Sequence, residues 1–261
     1  MRELTFGFSP CPNDTFAFHA LVHGLVEAPF QVRPVLLDIE ELNQRARGGA
    51  FDLTKLSVGA FAGVGDRYRL LRSGAALGHG VWPLVVAREA RPLADAAAGR
   101  IAIPGRETTA FRLLQLAAPA LGEVIELRYD RILGAVERGE VEAGLVIHES
   151  RFTYADHGLV KVADLGEWWE QATGLPVPLA GICARADLDA DLAAAAETAI
   201  RASVAYAFAH PEASRDYVRA HAQEMSDAVC DAHIRLYVNA HSLDLGDDGV
   251  RAIERLVGAA A

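Results

Sequence analysis

The chain has 261 residues, 51% of them hydrophobic and 23% charged, with a formal net charge of −10 at pH 7. That is enough apolar material for one large domain or two ordinary lobes, and an acidic chain with no Lys/Arg-rich run lacks the electrostatic footprint of a nucleic-acid binder. No apolar run approaches the roughly 18 residues of a membrane helix, and Cys11, Cys183 and Cys230 are too scattered for a zinc ribbon or a disulfide framework, which fits a reducing compartment.

Residues 4–9 read as a first strand. It ends in Ser9-Pro-Cys-Pro-Asn-Asp-Thr15, where two prolines forbid regular structure and Asn13 or Asp14 is expected to cap the following helix. That helix carries Phe16, His19, Ala20 and His23 at helical spacing and stops at Gly24. Residues 31–37 form a second strand. Residues 38–47 form a short helix capped by Asp38 and closed by Gly48-Gly49. A third strand, residues 52–57, ends in Lys55-Leu56-Ser57. A small apolar stretch at 59–65, an extended piece at 68–71 and a glycine-rich turn at 73–80 lead to a strong strand at 82–88.

The pattern then restarts. Residues 100–105 are a strand and turn, and Thr108-Thr109-Ala110 opens a helix to residue 121 that Pro119 trims. A strand at 123–129, a helix at 130–139 and a strand at 143–148 follow, the last ending in His148. Asp38…Gly48…Asp52…Ser57 answers Asp130…Gly139…Glu142…His148, so the two halves repeat one β-α-β-α-β order. Right-handed crossovers put the strand carboxyl ends of each unit at one edge, and two facing units form a cleft lined by those ends. The expected fold is α/β and two-lobed, each lobe a mixed sheet flanked by helices, with residues 1–87 plus 182–261 in lobe 1 and 88–181 in lobe 2. After His148 the chain is expected to cross residues 158–165, form a short helix at Trp168-Trp169-Glu170 and return to lobe 1 through a strand at 179–185. The rest is helical, at 188–209, from Pro211 onward, at 226–239 and at 247–257.

No GxGxxG follows a strand and no GK[ST] occurs, so nucleotide cofactors are not supported. There is no Gly-x-Ser-x-Gly, and no cysteine has a neighbouring base. His19 and His23 have a metal-binding spacing without a third ligand in sequence. Neither a metal nor any other cofactor is expected. Three features do carry chemistry. Thr108, Thr109 and Ala110 start a helix after a glycine turn, which presents backbone N–H groups to an anion; simple capping is the competing reading. Lys55 and Ser57 share one side of their strand, and a lysine in an apolar strand needs solvent or an anion. Asn13, Asp14 and Thr15 stand in lobe 1 where Thr108 and Thr109 stand in lobe 2.

His148 terminates an apolar run. Its imidazole either satisfies local backbone or serves as a base, and imidazole, with an unperturbed pKa of ~6.5, suits proton transfer at neutral pH. Convergence of these features on one cleft favours the base.

Four motifs bear a resemblance to a known family: Ser9-Pro-Cys-Pro-Asn-Asp-Thr-Phe16, Asp52-Leu-Thr-Lys-Leu-Ser57, Ile103-Pro-Gly-Arg-Glu-Thr-Thr-Ala110 and Ile147-His-Glu-Ser-Arg-Phe-Thr-Tyr154. Together with Asp164-Leu-Gly-Glu-Trp-Trp-Glu170 and His221-Ala-Gln-Glu-Met225, they make the chain similar to the 1,4-dihydroxy-6-naphthoate synthases over nearly its whole length. The resemblance implies a type II periplasmic-binding-protein-like fold with the site in the interlobe cleft. It implies a lyase of the futalosine route to menaquinone, acting on cyclic dehypoxanthine futalosine. It implies that His148 is the proton acceptor, and that Lys55, Leu56, Ser57, Thr109 and Ala110 contact substrate. The expected partner is a small-molecule carboxylate substrate, with no nucleic acid and no membrane; a homodimer is left open. Residues 1–10 lack the apolar core of a secretory signal, so the expected location is cytoplasmic. Two rivals remain, a solute-binding protein for a small organic anion and the related chorismate dehydratase of the same pathway.

Overall fold

The structure is a computed structural model and describes residues 2–80, 83–148, 150–222 and 226–258. Trp82, Glu149 and the Gln223-Glu224-Met225 end of one quoted motif lie outside the described residues. The chain begins with β1 (Arg2–Phe8), α1 (Pro12–Val22), β2 (Phe30–Leu36), α2 (Ile39–Ala46) and β3 (Leu53–Ser57). A 3-10 turn precedes α3 (Phe61–Val64), and the short strands β4 (Tyr68–Leu70) and β5 (Ala76–Gly78) follow. Next come β6 (Leu84–Ala87), α4 (Leu93–Ala98), β7 (Ile101–Ile103), α5 (Thr109–Ala117), β8 (Val124–Glu126), α6 (Tyr129–Glu137) and β9 (Ala143–Val146). Then α7 (Ser150–Thr153), β10 (Val160–Asp164), α8 (Leu165–Thr173) and β11 (Val177–Arg185). The helices α9 (Ala190–Ala209), α10 (Arg215–His221), α11 (Asp227–Tyr237), α12 (Ala240–Leu243) and α13 (Gly246–Gly258) end the described chain.

Two compact units result, Met1–Gly78 with Pro178–Ala261, and His79–Val177. In unit 1 the strands run in the order β2-β1-β3-β11-β4, with β5 also paired to β11. The pairs β1·β2 and β1·β3 are parallel, whereas β11 is antiparallel to both β3 and β4. Strand alternation puts Leu4, Phe6 and Phe8 on one face, where all three are fully buried. The Phe6 and Phe8 rings meet Phe18 of α1 at centroid distances of 5.0 and 5.4 Å, in tilted and edge-on geometries. Ile200 and Val204 of the alanine-rich α9 belong to the same core. The Ser203 hydroxyl donates to the Ala17 carbonyl at 2.7 Å and accepts from Leu21 N–H at 3.1 Å, inserting between two groups one helical turn apart in α1. On the opposite face of β1, a Cβ on Gly7 would lie 2.9 Å from Leu42 Cδ2, so the missing side chain is what lets α2 lie on the sheet.

Unit 2 repeats the arrangement. Its order is β10-β6-β9-β7-β8, with β8, β7 and β9 mutually parallel and β6 antiparallel to β9. Each unit therefore has a strand–helix–strand–helix–strand set in the order second, first, third, with an antiparallel strand beside the third. The repeat read from Asp38…Ser57 and Asp130…His148 is this one. α6 packs on β9 through Ile132 and Val136, and a Cβ on Gly144 would come within 2.6 Å of Ile132 and 2.8 Å of Val136.

Several local expectations change. α1 starts at Pro12, with Cys11 in the cap position and no side-chain cap, so Asn13 and Asp14 lie inside the first turn. Proline is suited to that first position, and it moves the start ahead of the polar residues. Asp130 likewise sits in the first turn of α6, bound to Arg128, rather than capping it. The glycine-rich stretch after Ser73 contains β5, and residues 160–164 form β10, an edge strand paired antiparallel to β6. β6 was expected in the first lobe; its pairing with β9 and β10 makes it part of the unit 2 sheet. Residues 180–184, partly assigned to the second lobe, pair with β3 in unit 1.

Candidate active site

In unit 1 the parallel strands β1 and β3 bring the Ser9 turn, the start of α1 and Lys55 together at their carboxyl ends. Lys55 is only 4% exposed and Asp14 only 2%. The ammonium lies 2.5 Å from Asp14 Oδ1, so the anion that a buried lysine requires is supplied by the chain itself. Asp14 Oδ1 also accepts from Asn13 Nδ2 at 2.8 Å. Its other oxygen accepts from Ser9 N–H at 3.0 Å and from the Ser9 hydroxyl at 2.6 Å. Four donors on two oxygens fill a carboxylate's acceptor capacity. The acceptor capacity of Asp14 is thus taken up within the chain, whereas the Lys55 ammonium carries two N–H groups besides the one on Asp14.

Ser57 shares the Lys55 side of β3 and is held from α2. Asn43, fully buried, accepts from Ser57 N–H at 2.9 Å and donates to its hydroxyl at 3.0 Å. Leu56 points the other way, into a cluster with Ala46, Val64, Tyr68 and Cys183. Any ligand contact at Leu56 is therefore a backbone contact.

In unit 2, Thr108 caps α5. Its hydroxyl accepts from Phe111 N–H at 3.2 Å and donates to Gly105 O at 2.8 Å. Capping is thus the observed role of Thr108. Thr109 and Ala110 are the first two residues of the helix, and both are buried. β9 stops at Val146, and His148 follows two residues later in the left-handed region at φ 55, unique among the described non-glycine residues. That conformation costs on the order of 1–2 kcal/mol in an L-residue, and such residues concentrate at functional sites. The His148 ring meets the edge of Tyr129, the first residue of α6, with centroids 4.8 Å apart and planes at 69°. Because β7 and β9 are parallel neighbours, the start of α5 and His148 belong to one edge of the sheet.

Sequence reasoning did not single out Tyr129, Asn43 or His233. Tyr129 had been placed at the end of a strand, and His233 bonds Asn13 at 3.0 Å across 220 residues. His19 and His23 stack at 4.3 Å, and burial first, then the His23 charge, lowers the His19 pKa. Among the described residues no group of three or more His, Cys, Asp or Glu side chains could hold a metal. The three cysteines form no disulfide and are buried, and burial pushes the Cys183 thiol far above its ordinary range, which disfavours the reactive thiolate. No helix among the described residues is long and apolar enough to cross a membrane.

The fold is periplasmic-binding-protein-like. It resembles a ligand-binding component of an ABC-type import system from Staphylococcus aureus, solved with zinc bound, with a TM-score of 0.71 at 13% identity over 100% of this chain and 92% of that one. At that identity the likeness speaks of fold alone. A solved protein of Archaeoglobus fulgidus is nearer, with a TM-score of 0.93 and 35% identity over 99% of this chain and 96% of that one. The chain belongs to the menaquinone biosynthesis family, whose model matches residues 4–261, and it is an enzyme. A 1,4-dihydroxy-6-naphthoate synthase of Thermus thermophilus is 60% identical over 98% of this chain and 93% of the relative. One of Streptomyces coelicolor is 46% identical over 99% and 93%.

Proposed function

We propose that this chain converts cyclic dehypoxanthine futalosine to 1,4-dihydroxy-6-naphthoate and dihydroxyacetone, as a carbon–carbon lyase with His148 as general base. The observation that carries the reading is the 60% identity, over 98% of the chain, to a synthase of that name. A base removes a proton from the substrate, the carbon–carbon bond to the sugar-derived fragment breaks, and the bicycle becomes aromatic. Aromatisation drives the step, and no net oxidation or reduction takes place. His148 suits the base because a left-handed turn lifts it off the end of β9 and Tyr129 steadies its ring. The substrate carboxylate is assigned to the amides of Thr109 and Ala110 together with the Thr109 hydroxyl, where a helix start favours negative charge. Lys55 and Ser57 are assigned to oxygens of the sugar-derived part.

Incubating the purified protein with cyclic dehypoxanthine futalosine should release the naphthoate and dihydroxyacetone, detected by mass spectrometry. A ligand bound and returned unaltered would overturn the reading in favour of a solute-binding protein. The two threonines separate capping from recognition. Thr108→Val should lower folding stability by about 1 kcal/mol with KM little changed, the usual cost of a lost cap. Thr109→Val should raise KM severalfold with kcat nearly kept, as steady-state kinetics would show.

A further inference from the structure

His233 lies on α11, far in sequence from every motif that marks the site, and it is fully buried. Its Nε2 is 3.0 Å from Asn13 Oδ1. Asn13 Nδ2 is 2.8 Å from Asp14 Oδ1, and the same oxygen receives the Lys55 ammonium at 2.5 Å. The direction of each bond follows from chemistry alone. An ionised carboxylate only accepts, so Asn13 must turn its NH₂ to Asp14 and its carbonyl to the histidine. His233 must then carry its proton on Nε2 and donate it. The imidazole plane is held in turn by Tyr237, one helical turn on, with ring centroids 4.6 Å apart.

We propose that His233 is a positioning residue for substrate binding, holding Lys55 in place through Asn13 and Asp14. A lysine is a point charge on a flexible four-carbon stem, and its direction is set by whatever anchors it. Asp14 is the anchor, and the Asn13 amide helps to fix the rotation of its carboxylate. An Asn amide has two faces of nearly equal shape and opposite polarity. Without a donor at the His233 position, the Asn13 carbonyl loses its buried hydrogen bond and the amide shifts to regain one, which loosens its hold on Asp14. The carboxylate then swings and the ammonium follows it. This inference rests on the reading of Lys55 as a substrate contact, and it extends the site to α11, which no motif reached.

His233→Leu removes the donor at similar volume, and His233→Gln keeps an N–H at the place of Nε2. His233→Leu should raise KM for cyclic dehypoxanthine futalosine about tenfold, the order of one lost hydrogen bond, with kcat within about twofold of wild type. His233→Gln should restore most of the affinity, and thermal melts of both variants would report any loss of the fold. An unchanged KM in His233→Leu, a kcat that falls in step with stability, or a glutamine variant no better than leucine would overturn the proposal. Nitrogen-15 NMR gives a readout that needs no turnover. Exchange protection of the Asn13 side-chain amide should fall in His233→Leu and persist in His233→Gln. If wild type leaves the compound unaltered, the proposed reaction fails on its own account, and the amide signal alone decides the relay. Equal protection in both variants would refute it.

Discussion

Replacing His148 by asparagine should lower kcat by about 10²–10⁴-fold, the usual contribution of a positioned general base, while substrate affinity stays close to wild type. Asparagine is chosen over alanine because of the backbone. His148 sits at φ 55, a conformation that asparagine tolerates and most other residues resist. The variant therefore removes the titratable ring without forcing the turn to change. The side chain also keeps hydrogen-bonding capacity beside Tyr129, whose ring centroid lies 4.8 Å from that of the imidazole. Steady-state kinetics together with calorimetric binding would separate the two effects. Turnover near the wild-type rate would remove His148 from the chemistry; lost binding with an unchanged rate for bound substrate would make it a contact instead.

The second large effect concerns stability. Asp14→Ala should cost about 3–5 kcal/mol, the range for removing one partner of a buried ion pair. The side chains of Lys55 and Asp14 are only 5% and 3% exposed, so the orphaned ammonium could not regain water without opening the end of β3. By contrast Arg219 and Asp227, also 2.5 Å apart, are 52% and 50% exposed. Exposed pairs contribute about 0–1 kcal/mol, so Asp227→Ala should hardly move the unfolding midpoint. Urea titrations would show the difference. The double replacement Asp14→Ala with Lys55→Met should recover much of the loss, because it removes both buried charges. If Asp14→Ala unfolds at the wild-type midpoint, Lys55 has another counterion.

Much of this organisation was legible because the apolar runs 4–8 and 143–147 are bounded by strong punctuation. Asp38 caps α2 and accepts from Glu40 N–H at 2.9 Å, and Gly49 takes a positive φ after it. Such signals act within one helical turn, and so they survive in a linear reading. β10 was missed because its residues are half-exposed, with none of the apolar run that marks the inner strands. β5 was missed because three residues among glycines carry no pattern of their own. Lys55 was legible as an anomaly, a charge in an apolar strand, but its partner was not. Asp14 was read as a cap because sequence spacing says nothing about a residue 41 positions away. His233 is the extreme case, since its role rests on a contact across 220 positions. The left-handed turn at His148 was hidden for another reason. The paired register with β6 runs as far as Val146, and past the end of that ladder the chain is released from extended geometry.

The place of β11 between β3 and β4 has a consequence for biosynthesis. A ribosome delivers β1, β2, β3 and β4 first, then all of unit 2, and only afterwards Ala180 to Ala184, which pair with Ser57 to Leu53. Domains made on the ribosome generally fold from the amino terminus onward. Here the first-made unit must wait with the edge of β3 unpaired, and an open strand edge invites wrong partners. The strand so exposed is the one that carries Lys55 and Ser57. The nascent chain thus completes the sheet of its second unit before that of its first, and the segment most in need of protection is the one that the proposed chemistry uses.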